Sequence, residues 1–194
     1  MKNQEDIYKI PVMEFEQGSI GYLEKIFAAQ LILMSKPNII IETGTFNGQT
    51  TKFLSKFLNI NKMAGHIYSF DLPDVIENLM SRDSFFDTAE NVHFIKGSLP
   101  DTLEEFLSKK NINIDFAVID SEHTYKQVKL ELNVIEKYLR DGAYVFCHDY
   151  LENDDKYNGV VKAVKEFSDS KNYEMIALSG SKIWGTAILR KPLV

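Results

Sequence analysis

The chain has 194 residues, of which 44% are hydrophobic and 26% charged, with a formal net charge of −6 and one cysteine, Cys147. That length and balance suit one domain able to bury its own core, and they exclude a disordered or fibrous chain and any intramolecular disulfide. The acidic balance, with a pI of about 5.3, argues against a nucleic-acid partner, which calls for a concentrated basic surface.

Met1-Lys2-Asn3-Gln4-Glu5-Asp6 is polar, no stretch of signal-peptide shape follows it, and no apolar run approaches the roughly 20 residues that cross a bilayer. A cytoplasmic protein with no membrane partner is expected. Leu23, Ile26, Phe27, Leu31 and Met34 recur at helical spacing, which predicts a helix over Ile20 to Ser35 that Pro37 ends. Residues 1–37 are expected to form a helical cap or lid within a single domain, 1–194. Asn38-Ile39-Ile40-Ile41-Glu42 is nearly all apolar, as a strand buried on both faces would be. A helix over Thr50 to Leu58 and a strand over His66 to Asp71 follow.

Residues 71–90 read as a helix flanked by loops, or as an acceptor lid. The alternation resumes with a strand at Val92 to Ile95, a helix at Leu103 to Lys109 and a strand at Phe116 to Asp120. A longer helix from Tyr125 to Leu139 is expected to stop at Asp141-Gly142, glycine being suited to the left-handed turn after a helix. Ala143 to Cys147 is the fifth strand and Gly159 to Phe167 another helix; Tyr173 to Leu178 and Trp184 to Leu189 make a hairpin across Ser179-Gly180-Ser181-Lys182. Five alternating units and a terminal hairpin predict an α/β fold: a doubly wound, mostly parallel, seven-stranded Rossmann-like sheet. Cys147, His66 and His93 lie within strands and read as structural.

Ligands of open α/β sheets lie beyond the carboxyl ends of the strands. There the sequence places Glu42 with its glycine loop, Asp71, Gly97-Ser98, Asp120 with Glu122 and His123, and His148-Asp149. In Glu42-Thr43-Gly44-Thr45-Phe46-Asn47-Gly48, Gly44 and Gly48 permit close approach of backbone to a ligand, and Gln49-Thr50 opens a helix whose free amides can receive a carboxylate. A dinucleotide loop would carry glycine where Phe46 stands. Glu42 opposes phosphate and favours an ammonium or sulfonium group, and Asp71, 27 residues beyond Gly44, can bond a ribose diol. A nucleotide-dependent enzyme on a similar sheet, or a non-catalytic binding protein, stays open on these features alone.

The run Ile41 to Thr51 resembles the first motif of class I methyltransferases that use S-adenosylmethionine. Ile119 to Tyr125, Leu139-Arg140-Asp141-Gly142, His148-Asp149-Tyr150 and Gly159 to Val164 resemble, in order, the small methyltransferases related to macrocin O-methyltransferase and the cephalosporin hydroxylase-like proteins. The resemblance implies S-adenosylmethionine against Glu42, Gly44, Phe46, Gly48 and Thr50, its ribose on Asp71 and its adenine near Ser98 and Asp120. It implies Mg2+ or another divalent cation on Asp120, His148 and Asp149, with His123 as base. His148 stands where metal-binding relatives have a carboxylate, and magnesium prefers oxygen to imidazole. The implied reaction is O-methylation of a small hydroxylated acceptor, a sugar or glycoside diol; an ion lowers the pKa of the hydroxyl and His123 takes its proton. Whether the chain forms a homo-oligomer is left open.

Overall fold

The computed structural model describes residues 20–152, 156, 158–181 and 184–193. The first 19 residues of the expected cap, and Lys182 in the hairpin turn, lie outside the described residues. The strands are β1 (Ile39–Thr43), β2 (His66–Asp71), β3 (Val92–Lys96), β4 (Ile114–Ile119), β5 (Leu139–His148), β6 (Glu174–Ser181) and β7 (Trp184–Arg190). They form one seven-stranded sheet in the order β3-β2-β1-β4-β5-β7-β6. Only β7 runs against the rest, pairing antiparallel with β5 and β6. The helices are α1 (Tyr22–Ser35), α2 (Gln49–Ile60), α3 (Pro73–Arg82), α4 (Asp101–Lys110), α5 (Tyr125–Tyr138) and α6 (Asn158–Lys171).

β1 explains both the apolar run and the position of the site. It pairs in parallel with β2 on one side and β4 on the other, so Ile41 faces Tyr68 and Ala117 across the ladders. Successive side chains alternate between faces. Ile40 joins a core with Ala28, Ile32, Phe53, Phe57 and Leu58 from α1 and α2. Ile41 joins another with Leu103, Leu132 and Val164 from α4, α5 and α6. The chain leaves β1 for β2 in one direction and later returns to place β4 on the opposite flank. That reversal opens a crevice at the carboxyl ends of β1 and β4.

One local reading changes. The helix before β5 does not stop at glycine: α5 ends at Tyr138 and Leu139 is already extended. Gly142 lies inside β5 at φ 75°, its N–H donates to Lys191 O at 3.1 Å, and a Cβ there would sit 2.9 Å from Leu193 Cδ2. Its left-handed backbone serves a kink in the strand against the following chain. Residues 71–90 form α3 and a 3-10 turn (Ser84–Asp87), with Leu79, Phe86 and Ala89 buried together. The helix read for this segment is present, and its buried side, with Leu79 and Phe86, walls the start of α2. No helix among the described residues is long and apolar enough to cross a membrane.

Candidate functional site

The loop after β1 is held from two sides. Gly44 has φ 88°, and a Cβ on it would lie 2.0 Å from the carbonyl oxygen of Asp120. Glycine is needed here so that the β1 loop can cross the backbone leaving β4; the contact is with protein, not with the open crevice. Gly48, at φ 73°, would likewise press a Cβ to 2.8 Å from Leu79 and 2.9 Å from Phe86. Both glycines therefore shape the crevice by letting its walls meet.

Asp71 ties the other side. Its Oδ2 accepts the amides of Thr45 at 2.9 Å and Phe46 at 2.8 Å, and its Oδ1 accepts that of Leu72 at 2.7 Å. A carboxylate offers about four lone-pair sites, so capacity remains for a diol. The Phe46 side chain is 59% exposed and stands free of the core. At the start of α2, the Gln49 amide is taken by Asn47 Oδ1 at 3.2 Å, and Thr50 is buried with its hydroxyl 3.4 Å from the Ile20 amide. The free-amide cradle expected at Gln49-Thr50 is thus partly occupied by the chain itself. Ser98 is exposed beyond β3, next to Gly97, whose N–H donates to Asp71 O at 2.9 Å.

Glu42 is placed differently from its expected role. It is fully buried on the α2 side of β1, where Thr51 and Ser69 each donate to its Oε2 at 2.5 Å. Burial pushes its pKa up to about 8, against the pull of those hydroxyls, so it is largely neutral at pH 7. A neutral group sealed beneath the loop does not attract a cation. Its Oε1 is buried with no hydrogen-bond partner, as a carboxyl that keeps its proton tolerates better than a carboxylate. Glu131 on α5 is a second buried carboxyl: it accepts Thr43 Oγ1 at 2.7 Å, Ser121 Oγ at 2.6 Å and Gln127 Nε2 at 2.7 Å, pinning β1, the loop after β4 and α5 together. Burial raises its pKa also.

The chemistry-bearing residues converge at the ends of β4 and β5. His123 Nε2 lies 3.0 Å from Asp149 Oδ2 and 3.6 Å from Asp120 Oδ1. One donor atom from each of Asp120, His123 and Asp149 falls within 4.8 Å of the others. Asp149 reaches this point from a left-handed backbone, φ 55°, that aspartate tolerates better than most residues. Glycines again allow the approach: a Cβ on Gly159 would lie 3.1 Å from His123 O, and one on Gly185 would lie 2.2 Å from Tyr150 O.

His148, expected as a metal ligand, stands outside that group of three. Its Nδ1 meets Asp120 Oδ1 at 3.0 Å, and its Nε2 meets Glu24 Oε2 at 3.3 Å. Carboxylate oxygens only accept, so both ring nitrogens are donors and neither has a lone pair for an ion. Burial pulls its pKa down, but Asp120 first and then Asp149 and Glu24 outweigh it and hold the pKa well above the ordinary value. Asp120 is in turn lowered: burial opposes this, and His148 and His123 prevail. Two carboxylates and one imidazole make a mixed oxygen and nitrogen donor set that fits a divalent transition ion such as Mn2+.

Glu24, Glu131, Ser69 and Thr51 were not singled out by sequence. The one available signal was Glu24, a charge at a position of α1 that faces the core. Cys147 is buried with its thiol pushed up, as a structural cysteine would be. His66 and His93 pair at the amino ends of their strands, 3.1 Å apart, away from the crevice.

Among solved structures, the O-methyltransferase from Bacillus cereus in complex with SAH has a TM-score of 0.72 at 17% identity, over 90% of this chain and 83% of that one. The O-methyltransferase TomG from Streptomyces achromogenes, in complex with SAM and involved in tomaymycin synthesis, gives 0.70 at 17% identity, over 91% and 82%. CalS11, a TDP-rhamnose 3′-O-methyltransferase of calicheamicin biosynthesis, gives 0.64 at 18% identity, over 87% and 79%. These likenesses bear on the fold. A comparison with curated protein sequences gives no match. The profile of a methyltransferase domain family does match, from Ile41 at the head of the glycine loop to Tyr150 just past Asp149, more than half of the 194 residues, and the chain belongs to that family.

Proposed function

We propose that the protein transfers the methyl group of S-adenosylmethionine to a hydroxyl of a small acceptor, a sugar or glycoside diol. The observation that carries this reading is the convergence of Asp120, His123 and Asp149 within 4.8 Å, beside the Asp71-bound loop. Asp71 receives the ribose, and the loop from Gly44 to Gly48, exposed at Phe46, with Thr50, together with Ser98 and the Asp120 backbone, borders the rest of the donor. His123 takes the acceptor proton as the hydroxyl oxygen bonds the methyl carbon and the carbon–sulfur bond breaks, leaving S-adenosylhomocysteine. Asp120 and Asp149 would hold a divalent ion, its coordination completed by acceptor oxygens or water; the ion would acidify a bound hydroxyl and leave the His123 ring free to take its proton. A diol fits because two neighbouring oxygens can engage the cluster together. The same reading carries a single 1–194 domain acting on a small molecule in the cytoplasm, with residues 1–37 bordering the acceptor.

Calorimetric titration with S-adenosylhomocysteine, repeated with Mn2+, with Mg2+ and with EDTA, tests both halves. Binding lost in Asp71→Ala, and a Mn2+ heat lost in Asp149→Asn, are the expected results. NADH binding as tightly as S-adenosylhomocysteine would overturn the donor assignment, and full methyl transfer in excess EDTA would remove the ion.

A further inference from the structure

α1 is arranged inside out at its first turn. Leu23 is 50% exposed, while the neighbouring Glu24 is 1% exposed. A buried carboxylate costs several kcal/mol unless hydrogen bonds replace its water. Ala28, Ala29 and Ile32 already supply the apolar seat of this helix on the sheet, so packing alone does not require Glu24.

Its partners show what it holds. Glu24 Oε2 accepts the Gly21 amide at 2.6 Å and lies 3.3 Å from His148 Nε2, while Oε1 accepts the Thr186 hydroxyl. The entry to α1, the end of β5 and the middle of β7 therefore meet on one carboxylate. On the far side of the same imidazole, His148 Nδ1 lies 3.0 Å from Asp120 Oδ1 and 3.5 Å from Asp149 Oδ2. A ring held at one nitrogen can swing about its side-chain torsion; held at both, its plane is fixed.

We propose that Glu24 is a positioning residue for methyl transfer: by holding Nε2 of His148 it keeps Nδ1 against Asp120 Oδ1, and so fixes the carboxylate that, with Asp149 and His123, faces acceptor or ion. The effect on an ion rests on the function proposed above; the fixing of the imidazole does not. A Glu24 that merely capped α1 and tied it to β7 would, when removed, lower stability and leave the ring of His148 as it was.

The test uses the full chain with 15N-labelled histidine. Of its four histidines, His148 is assigned by the resonances lost in His148→Gln. Wild type should show slowly exchanging protons on both ring nitrogens of His148. Glu24→Ala should lose the Nε2 proton signal and shift the Nδ1 signal. Glu24→Gln, whose amide oxygen can still accept from Gly21 and His148 while its NH2 faces a Thr186 hydroxyl able to accept, should restore both. Mn2+ affinity read by electron paramagnetic resonance should fall about tenfold to a hundredfold in Glu24→Ala, the usual cost of losing a group that orients a ligand. It should return toward wild type in Glu24→Gln, with S-adenosylhomocysteine affinity unchanged in both. An unchanged Nε2 signal in Glu24→Ala, or equal loss in both variants, would overturn the proposal. Should Glu24→Ala fail to fold, Thr186→Val, which loosens the carboxylate from its other oxygen, must broaden the Nε2 signal; a sharp one overturns the proposal as well. Wild type that binds no Mn2+ would reject the ion alone and leave the imidazole signals to decide.

Discussion

A carboxyl sealed from water with no cation beside it keeps its proton, and Glu42 is so placed. Its pKa near 8 in the fold, against 4.5 as the ordinary value, means that the native state holds a proton the unfolded chain releases across that interval. Stability should be full below pH 4.5 and decline as pH rises toward 8, by at most about 1.4 kcal/mol per pH unit. Glu42→Gln should flatten that decline; urea unfolding at pH 5, 6.5 and 8 measures it, and an unchanged slope would reject a protonated Glu42. Gly44→Ala should cost about 2–4 kcal/mol, because its left-handed backbone and the 2.0 Å approach to Asp120 O are both incompatible with a side chain. That loss belongs to the fold as well as to binding, so thermal unfolding must show it without any ligand. His123→Ala should lower turnover on a diol acceptor about a hundredfold to ten-thousandfold, as for loss of a positioned base. Near-normal turnover would leave His123 a ligand or a structural residue only.

Among the elements, the loop from Gly44 to Gly48 keeps one backbone bond to β2, from the Gly44 N–H to Phe70 O at 2.9 Å, and the next two amides, of Thr45 and Phe46, rest on Asp71. Asp71→Ala should therefore raise hydrogen exchange at Thr45 and Phe46 while the β1–β4 ladder stays protected; equal exchange in variant and wild type would mean that the loop is held otherwise. Strand-terminal acids and glycines were legible in the sequence because each sits where a short apolar run breaks. Their partners were not. Glu42 reads as a crevice residue by position, yet strand parity turns its side chain toward α2, and only the sheet register reveals that. His148 reads as a ligand through the resemblance of His148-Asp149-Tyr150 to metal-binding methyltransferases, but its partner Glu24 lies 124 residues earlier, beyond any local pattern. Asp141-Gly142 reads as a helix stop by local propensity, whereas Ile114 pairs with Leu139 and draws the chain into β5 three residues sooner. Gly142→Ala should accordingly cost about 1 kcal/mol through its positive φ and leave the helical circular dichroism of α5 unchanged.

At the scale of the whole molecule, the alternation of apolar runs was enough to foresee a seven-stranded sheet with one reversed strand, since parallel neighbours demand helical crossovers and a hairpin does not. A second titrating group bounds its pH range from the acid side. Burial first, and then His66 and Lys110, lower the pKa of His93. Its contribution to stability is present above the unfolded value of 6.5 and is lost as pH falls through the folded value, opposite in sign to that of Glu42. His93→Gln should lessen the acid-side loss, and an unaltered acid limb would assign that loss elsewhere. The strand order has a consequence for biosynthesis. β7 follows all the others in the chain yet lies inside the sheet, between β5 and β6. Until a ribosome has delivered Trp184–Arg190, the edge of β5 that carries Val145, Phe146 and Cys147 has no neighbour, and β6, though already made, has nowhere to dock. The nascent chain thus passes through a stage with an open apolar edge, the kind of template that recruits other chains. Messages stalled before codon 184 should yield product that is captured by chaperones or precipitates.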